Sequence, residues 1–159
     1  MEQITKLSLF VINRSKYRRL VIGKSTRDLS NDMERSSGYI GMIESPGSES
    51  KYPPHEYPAI AQALDWEIHD LLPPDESDQK SDGTLVDKVI LSLGKEEDMQ
   101  LVLEGMIDYG FFNEDKSIAE TAKHLFIEGK AEEKVLIKVL ENLTSANKLA
   151  KDGDSFKVR

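Results

Sequence analysis

The sequence contains no cysteine, which excludes disulfide bonds and cysteine-based metal sites. It has no apolar run near the roughly 18 residues that a membrane-spanning helix needs, and no signal peptide opens it. A reducing cytoplasm is the natural setting for such a chain. We therefore expect a cytoplasmic protein that does not enter a membrane.

Patterns that carry catalysis are also missing. The three histidines are far apart in the sequence, and no metal-ligand spacing, carboxylate pair or phosphate-cradling glycine loop accompanies them. His69 and Asp70 are adjacent on a short predicted helix, so their side chains point in different directions. We expect a protein that is not an enzyme and that binds no cofactor and no metal.

Positive charge is scarce overall but concentrated in one segment. The 159 residues carry a net charge of -8, yet residues 14–35 contain seven Lys or Arg against three Asp or Glu. Binding to nucleic acid depends on local neutralisation of phosphates by cations. If this chain binds DNA, the N-terminal half is therefore the place to expect it.

A polar segment divides the chain. The stretch "PPDESDQKSDGT" between Leu72 and Leu85 is rich in Pro, Ser and Asp and has no apolar period, as is typical of a linker. The sequence predicts an N-terminal domain over residues 1–73, a linker over 74–84 and a C-terminal domain over 85–159.

The first half predicts five short helices and no strand. Ser25 is placed to cap the second helix and Ser36 the third, and Leu29, Met33, Ile40 and Ile43 are spaced to face inward. The predicted helices cover residues 10–22, 27–33, 37–44, 59–64 and 66–72.

The second half predicts four helices and a hairpin. Apolar residues at helical spacing predict a helix over 85–93 that serves as an arm or a dimer strip, although simple core packing remains the alternative. Ser117 and Glu120 have the form of a capping box, and Asp152-Gly153 favours a tight hairpin turn. The other predicted helices cover residues 96–109, 118–127 and 131–146. Three helices followed by a hairpin is the order of a winged helix.

The stretch "GKSTRDLSNDMERSSGYIGMIES", residues 23–45, resembles the helix-turn-helix of the lambda-repressor-like, or XRE-type, transcriptional regulators. Ser25 stands at the family's cap position, Thr26 at its usual Gln, and Tyr39 and Glu44 at its usual Tyr and Glu. The resemblance covers roughly residues 10–73 and implies a mainly α, five-helix DNA-binding domain. The C-terminal half is similar only in outline to winged-helix modules.

The chain departs from that pattern near the turn. Arg18 and Lys24 fall near positions that are usually apolar, Glu34 replaces the turn glycine, and Arg35 replaces a buried Val-like residue. A left-handed glutamate costs on the order of 1 kcal/mol, and an unpaired buried arginine costs several. We expect Arg35 either to extend its head group outward or to remodel the turn.

The resemblance implies which residues would contact DNA. The exposed start of the third helix would meet base edges in the major groove, and it comprises Ser37, Gly38, Gly41 and Met42. The expected phosphate contacts are Thr26, Arg27, Ser36, Arg18, Arg19, Lys24 and Lys51.

The sequence thus favours a sequence-specific, double-stranded-DNA-binding transcriptional regulator that forms a homodimer. Glu132 and Glu133 begin the would-be reading helix of the C-terminal half, where they would repel phosphates, so we interpret that half as an assembly domain. The alternative is a degenerate helix-turn-helix that acts as a protein-interaction adaptor without specific DNA binding.

Overall fold

The structure, a computed structural model, describes residues 1–80 and 82–159. It is mainly α-helical with two small antiparallel sheets. The chain forms two compact units, and Leu20–Gly23, which contain the last two residues of the first helix, group with the second unit. The first unit comprises Met1–Arg19 and Lys24–Leu91, and the second comprises Leu20–Gly23 and Ser92–Arg159.

The described residues of the first unit form five α-helices, the number that the sequence predicts, together with two strands that the sequence does not predict. Its helices are α1 (Lys6–Val21), α2 (Thr26–Asp32), α3 (Tyr39–Ile43), α4 (Tyr57–Ala63) and α5 (Ile68–Leu71). Strands β1 (Gln3–Thr5) and β2 (Leu85–Asp87) pair antiparallel, with Ile4 opposite Val86.

Three of the four inward residues predicted for α2 and α3 lie in the core of this unit. Leu29, Ile40 and Ile43 are buried, whereas Met33 is half-buried. Ile68, the first residue of α5, is exposed, whereas Leu71 on the same helix is buried. The cap of α5 is Glu67, whose side chain forms a reciprocal capping box with Asp70.

The predicted helix over residues 85–93 is wrong. Residues 85–87 form β2, and the segment that follows is irregular and belongs to the first unit, which continues to Leu91. The apolar residues that suggested a helix belong to two different structures. Some lie on strand β2, and Ile90 and Leu91 are buried in the irregular segment after it. Of the predicted linker, Ser81 lies outside the described residues.

The second unit matches its predicted elements closely. Its helices are α6 (Glu96–Tyr109), α7 (Ile118–His124) and α8 (Lys130–Ser145), and its strands are β3 (Lys116–Ser117), β4 (Leu149–Asp152) and β5 (Ser155–Val158). The sheet order is β3-β5-β4, so β5 pairs with the strand before α7 as well as with its hairpin partner.

Helix α7 shows both a correct start and an early end. The Ser117 hydroxyl accepts a hydrogen bond from the Glu120 amide at 3.0 Å, and the Glu120 carboxylate accepts one from the Ser117 amide at 3.2 Å, which confirms the capping box. The helix ends at His124 rather than Ile127, because Phe126 adopts a left-handed conformation with φ of 58°.

Candidate nucleic-acid interface

Helices α2 and α3 are joined through one buried hydroxyl. The Ser30 Oγ donates a hydrogen bond to the Thr26 carbonyl at 2.8 Å and accepts one from the Ile40 amide at 3.0 Å. Ser25 caps α2 as predicted, since its Oγ accepts the Asp28 amide at 3.0 Å. The Ser30 bonds therefore hold α3 against α2 without any contribution from exposed side chains.

The turn between the two helices keeps a left-handed residue without a glycine. Glu34 has a φ of 56°. Its amide donates to the Asn31 carbonyl at 2.9 Å, and the Arg35 amide donates to the Ser30 carbonyl at 2.9 Å. A left-handed glutamate costs on the order of 1 kcal/mol, and the surrounding bonds hold it there.

Arg35 follows the first of its two expected alternatives and turns outward. Its side chain is 47% exposed, and its guanidinium lies 5.3 Å from the centre of the Tyr39 ring. The guanidinium forms an ion pair with the buried carboxylate of Glu56, which also accepts the Tyr39 hydroxyl. Burial raises the pKa of Tyr39, and the nearby Arg35 charge opposes that rise.

The four residues predicted to meet base edges are all exposed. Met42 is 57% exposed, and Ser37, Gly38 and Gly41 are likewise accessible. A Cβ atom added to either glycine would meet nothing within 4 Å, so the backbone here is open to close approach. The turn before α3 and the exposed face of α3 therefore present a surface of small residues and one flexible apolar side chain.

Ser36 does not cap α3, and this prediction is wrong. The helix begins at Tyr39 with Gly38 at the cap position and no side-chain cap. The Tyr39 amide donates to the Ser36 carbonyl at 3.0 Å, so residues 36–38 form a turn and the Ser36 hydroxyl is left on the surface.

Arg19 is part of the interior of the first unit. It is 5% exposed, and its guanidinium donates to the Glu44 carboxylate at 2.9 and 2.7 Å and to the Lys24 carbonyl at 2.9 Å. A phosphate would have to displace the Glu44 carboxylate to reach it. The prediction that Arg19 contacts a DNA phosphate is therefore wrong, because its guanidinium is buried and paired.

Two more of the expected phosphate contacts bind the end of α4. The Arg18 Nε donates to the Leu64 carbonyl at 3.0 Å, and the Lys24 Nζ donates to the Ala63 carbonyl at 2.7 Å. Lys24 also pairs with Asp32 at 2.6 Å. Cations are favourable at helix C-termini, where carbonyls lack intrahelical partners. The basic segment thus serves largely to hold the helices together.

Arg14 has the same kind of role at α5. Its Nε donates to the Asp70 carbonyl at 3.0 Å, and its guanidinium lies 4.5 Å from the centre of the Trp66 ring. Arg18 lies 5.3 Å from the same ring. Arginine packs well on aromatic faces, so these contacts also shield Trp66 from water.

Four of the predicted phosphate contacts remain accessible. Arg27, Lys51 and Ser36 are exposed, and Thr26 is half-buried at the start of α2. In residues 1–80 and 82–159, neither the Arg27 nor the Lys51 side chain has a hydrogen-bond or ion-pair partner. Among the predicted phosphate contacts, the cations without a partner in the described residues are therefore Arg27 and Lys51, which is fewer than the sequence suggests.

An open depression of about 720 Å³ lies beside α3. It joins Met42 and Lys51 to three residues that the sequence did not single out as site residues, Tyr39, His55 and Glu56. The burial of Glu56 could not be predicted from its neighbours in the sequence, because a glutamate in a proline-rich loop is usually exposed. Its burial depends on partners that are distant in the sequence, the Arg35 guanidinium and the Tyr39 hydroxyl.

Comparison of this chain with protein-family models, with curated proteins and with solved structures found no match. Across the part of the chain that the structure describes, no group of three or more His, Asp or Glu side chains is arranged to hold a metal ion. Within the same residues, no helix combines the length and the apolar character needed to cross a bilayer.

Proposed function

We propose that this protein is a sequence-specific DNA-binding regulator of transcription that reads double-stranded DNA with the start of α3. The observation that carries this proposal is the joint exposure of Ser37, Gly38, Gly41 and Met42 on one short surface. Small residues allow the backbone to approach base edges, serine bonds to either type of base, and a methionine side chain contacts a thymine methyl group.

The bonds that join α3 to the rest of the first unit support the same proposal. A surface that reads bases must be held in place by the rest of the fold. The Ser30 hydroxyl bonds to Ile40 near the start of α3, and Arg19 bonds to Glu44 at the end of α3. The Arg35–Glu56 pair adds a third tie across Tyr39. None of these ties uses a residue of the proposed base-reading surface.

The proposed phosphate contacts are Arg27, Lys51, Thr26 and Ser36. Two cations give a modest electrostatic contribution to affinity, because affinity grows with the number of phosphates neutralised. A homodimer doubles that contribution and places two α3 surfaces about 34 Å apart, on successive turns of a pseudo-palindromic site. We therefore propose that the homodimer is the DNA-binding form.

Selection from a pool of random duplexes tests the proposal. The full-length protein, held at low salt, should enrich a defined motif from the pool. The Met42→Ala and Ser37→Ala variants should enrich altered motifs, because each removes a contact with one base pair and a mismatched base pair typically costs about 1–3 kcal/mol. Leu101→Ala is the matched control, since Leu101 is 50% exposed but lies on α6 in the second unit.

The outcomes separate reading from mere binding. An unchanged motif with both variants would remove α3 from the reading role, and no retention of duplexes at low salt would contradict DNA binding altogether. A loss of affinity that is equal for all sequences with Met42→Ala would also contradict its role in the groove.

The second candidate function is a protein-interaction adaptor. Its supporting observation is that Arg18, Arg19 and Lys24 are occupied within the fold, while the depression beside α3 offers Tyr39 and Met42 to a partner. An adaptor would retain no duplex DNA at low salt, so the same pool experiment distinguishes the two functions.

A further inference from the structure

The segment that begins at the end of the predicted linker is part of the first unit and pairs with the start of the chain. We call residues 84–91 the strap. Its strand β2 pairs with β1, and the Lys88 amide donates to the Glu2 carbonyl at 2.8 Å. Asn13 on α1 holds the end of the strap twice, donating to the Val89 carbonyl at 3.0 Å and accepting the Leu91 amide at 2.8 Å.

Lys88 is the one lysine among the buried residues of the described chain. Its side chain is fully buried, and its ammonium donates to the Ser48 carbonyl at 2.7 Å and to the Ser50 carbonyl at 2.8 Å. Burial lowers the pKa of Lys88, and the negative charge of Glu2 partly opposes that shift. Burying an ammonium is costly unless its hydrogen bonds are made, so these two bonds are strongly maintained.

The two carbonyls belong to the loop that carries Lys51. This loop, residues 45–51, begins directly after α3, and Tyr52 beyond it is buried. The Lys88 ammonium donates to both of these serine carbonyls from the strap, while Ser50 and Lys51 line the depression beside Met42. The Lys88 ammonium therefore holds the backbone next to an exposed cation of the proposed interface.

We propose that Lys88 is a positioning residue: it fixes the Ser48–Lys51 loop and so sets where Lys51 meets a DNA phosphate. The second half of this proposal depends on the proposed DNA-binding function, whereas the first half concerns the loop alone. Lys88 itself does not touch DNA, because it is buried behind the loop.

The Lys88→Met variant tests both halves, because methionine keeps an unbranched apolar side chain and removes the three donors. In the absence of DNA, amide hydrogen exchange at residues 48–51 should become roughly tenfold faster or more while exchange in α6 stays unchanged. With DNA, the dependence of log affinity on log salt should become shallower by about 0.9 per chain, as if the Lys51 contact were lost. Lys80→Met, at an exposed lysine, is the matched control.

A double variant separates action through Lys51 from general damage. Lys51→Ala combined with Lys88→Met should have the same salt dependence as Lys51→Ala alone, because the contact can be lost only once. If Lys88→Met does not fold, Lys88→Gln retains one amide donor group and allows the same measurements.

Unchanged exchange at residues 48–51 would overturn the proposal whether or not the protein binds DNA. Faster exchange with wild-type affinity and wild-type salt dependence would overturn the functional half. Failure of the wild-type protein to bind duplex DNA would instead overturn the proposed function, and the exchange result would still decide the role of Lys88 in the loop.

Discussion

Arg19 and Glu44 form a buried two-point ion pair that joins α1 to the residue at the end of α3. Both side chains are 6% exposed, and the guanidinium contributes its Nε and one Nη to the two carboxylate oxygens. The pair therefore links α1 to the end of α3, the helix that carries part of the proposed reading surface.

This pair predicts an unequal set of stability changes. Arg19→Met or Glu44→Leu alone should lower the free energy of unfolding by about 3–5 kcal/mol, because each leaves a buried charge unpaired, whereas the double variant should cost much less. Urea unfolding followed by fluorescence of Trp66, the single tryptophan, checks this in the first unit. A single variant that costs less than about 1 kcal/mol would contradict the buried pairing.

A substitution at Glu34, by contrast, should stabilise the protein. Because its φ is 56°, Glu34→Gly should relieve the backbone strain and raise the free energy of unfolding by about 0.5 kcal/mol after the greater freedom of unfolded glycine is subtracted. Glu49→Gly is the control, since Glu49 is exposed and outside the left-handed region, and it should destabilise. Equal changes at the two positions would contradict the left-handed turn.

The Arg35–Glu56 ion pair predicts that a second substitution partly restores the stability lost by the first. Arg35→Ala should cost about 1–3 kcal/mol, because the buried Glu56 carboxylate then keeps only the Tyr39 hydroxyl as a partner. Adding Glu56→Gln should recover part of that loss by removing the buried charge. Double-mutant analysis of urea unfolding measures the coupling, and purely additive costs would show that the ion pair is unimportant.

His124 predicts a pH dependence in the second unit. Its Nε2 lies 2.9 Å from the Val21 carbonyl, and burial lowers its pKa below the ordinary value near 6.5. The unfolded chain therefore takes up a proton near pH 6.5 while the folded chain resists it. The stabilisation is fully present above pH 6.5 and is lost as pH falls toward the lowered pKa.

The measurement is exchange of the α7 amides between pH 7 and pH 5, corrected for the intrinsic effect of pH. Wild-type protection should decline over this interval, and His124→Gln should give a flatter profile. The carboxylates with shifted pKa values, such as Glu104 and Glu120, are all lowered and so titrate below this interval. Parallel profiles for the two proteins would contradict the role of His124.

Local signals in the sequence were sufficient for much of the helical pattern. Ser25 and Ser117 cap helices through bonds to amides three residues away, and Leu29, Ile40 and Ile43 are buried at helical spacing. Such features depend on neighbours in the sequence, so one sequence is enough to predict them. The helix predicted over residues 96–109 has the same bounds in the structure for the same reason.

Features that depend on distant partners were missed. Lys88 is buried because carbonyls 38 and 40 residues away receive its ammonium, and β2 exists because β1 lies at the other end of the first unit. The basic residues looked like a phosphate-binding cluster, yet Arg18 and Arg19 bind Leu64 and Glu44. Charge alone does not reveal whether a cation faces solvent or closes a helix end.

The most direct test of the central claim is the salt dependence of binding to a duplex recovered from the random pool. With Arg27 and Lys51 as the available cations, the slope of log affinity against log salt should be about -2 per chain, or about -4 for a dimer. Arg27→Ala and Lys51→Ala should each make it shallower by about 0.9 per chain, while Lys80→Ala should leave it unchanged. Absence of binding at the lowest salt, or a slope that neither Arg27→Ala nor Lys51→Ala alters, would contradict DNA recognition by this surface.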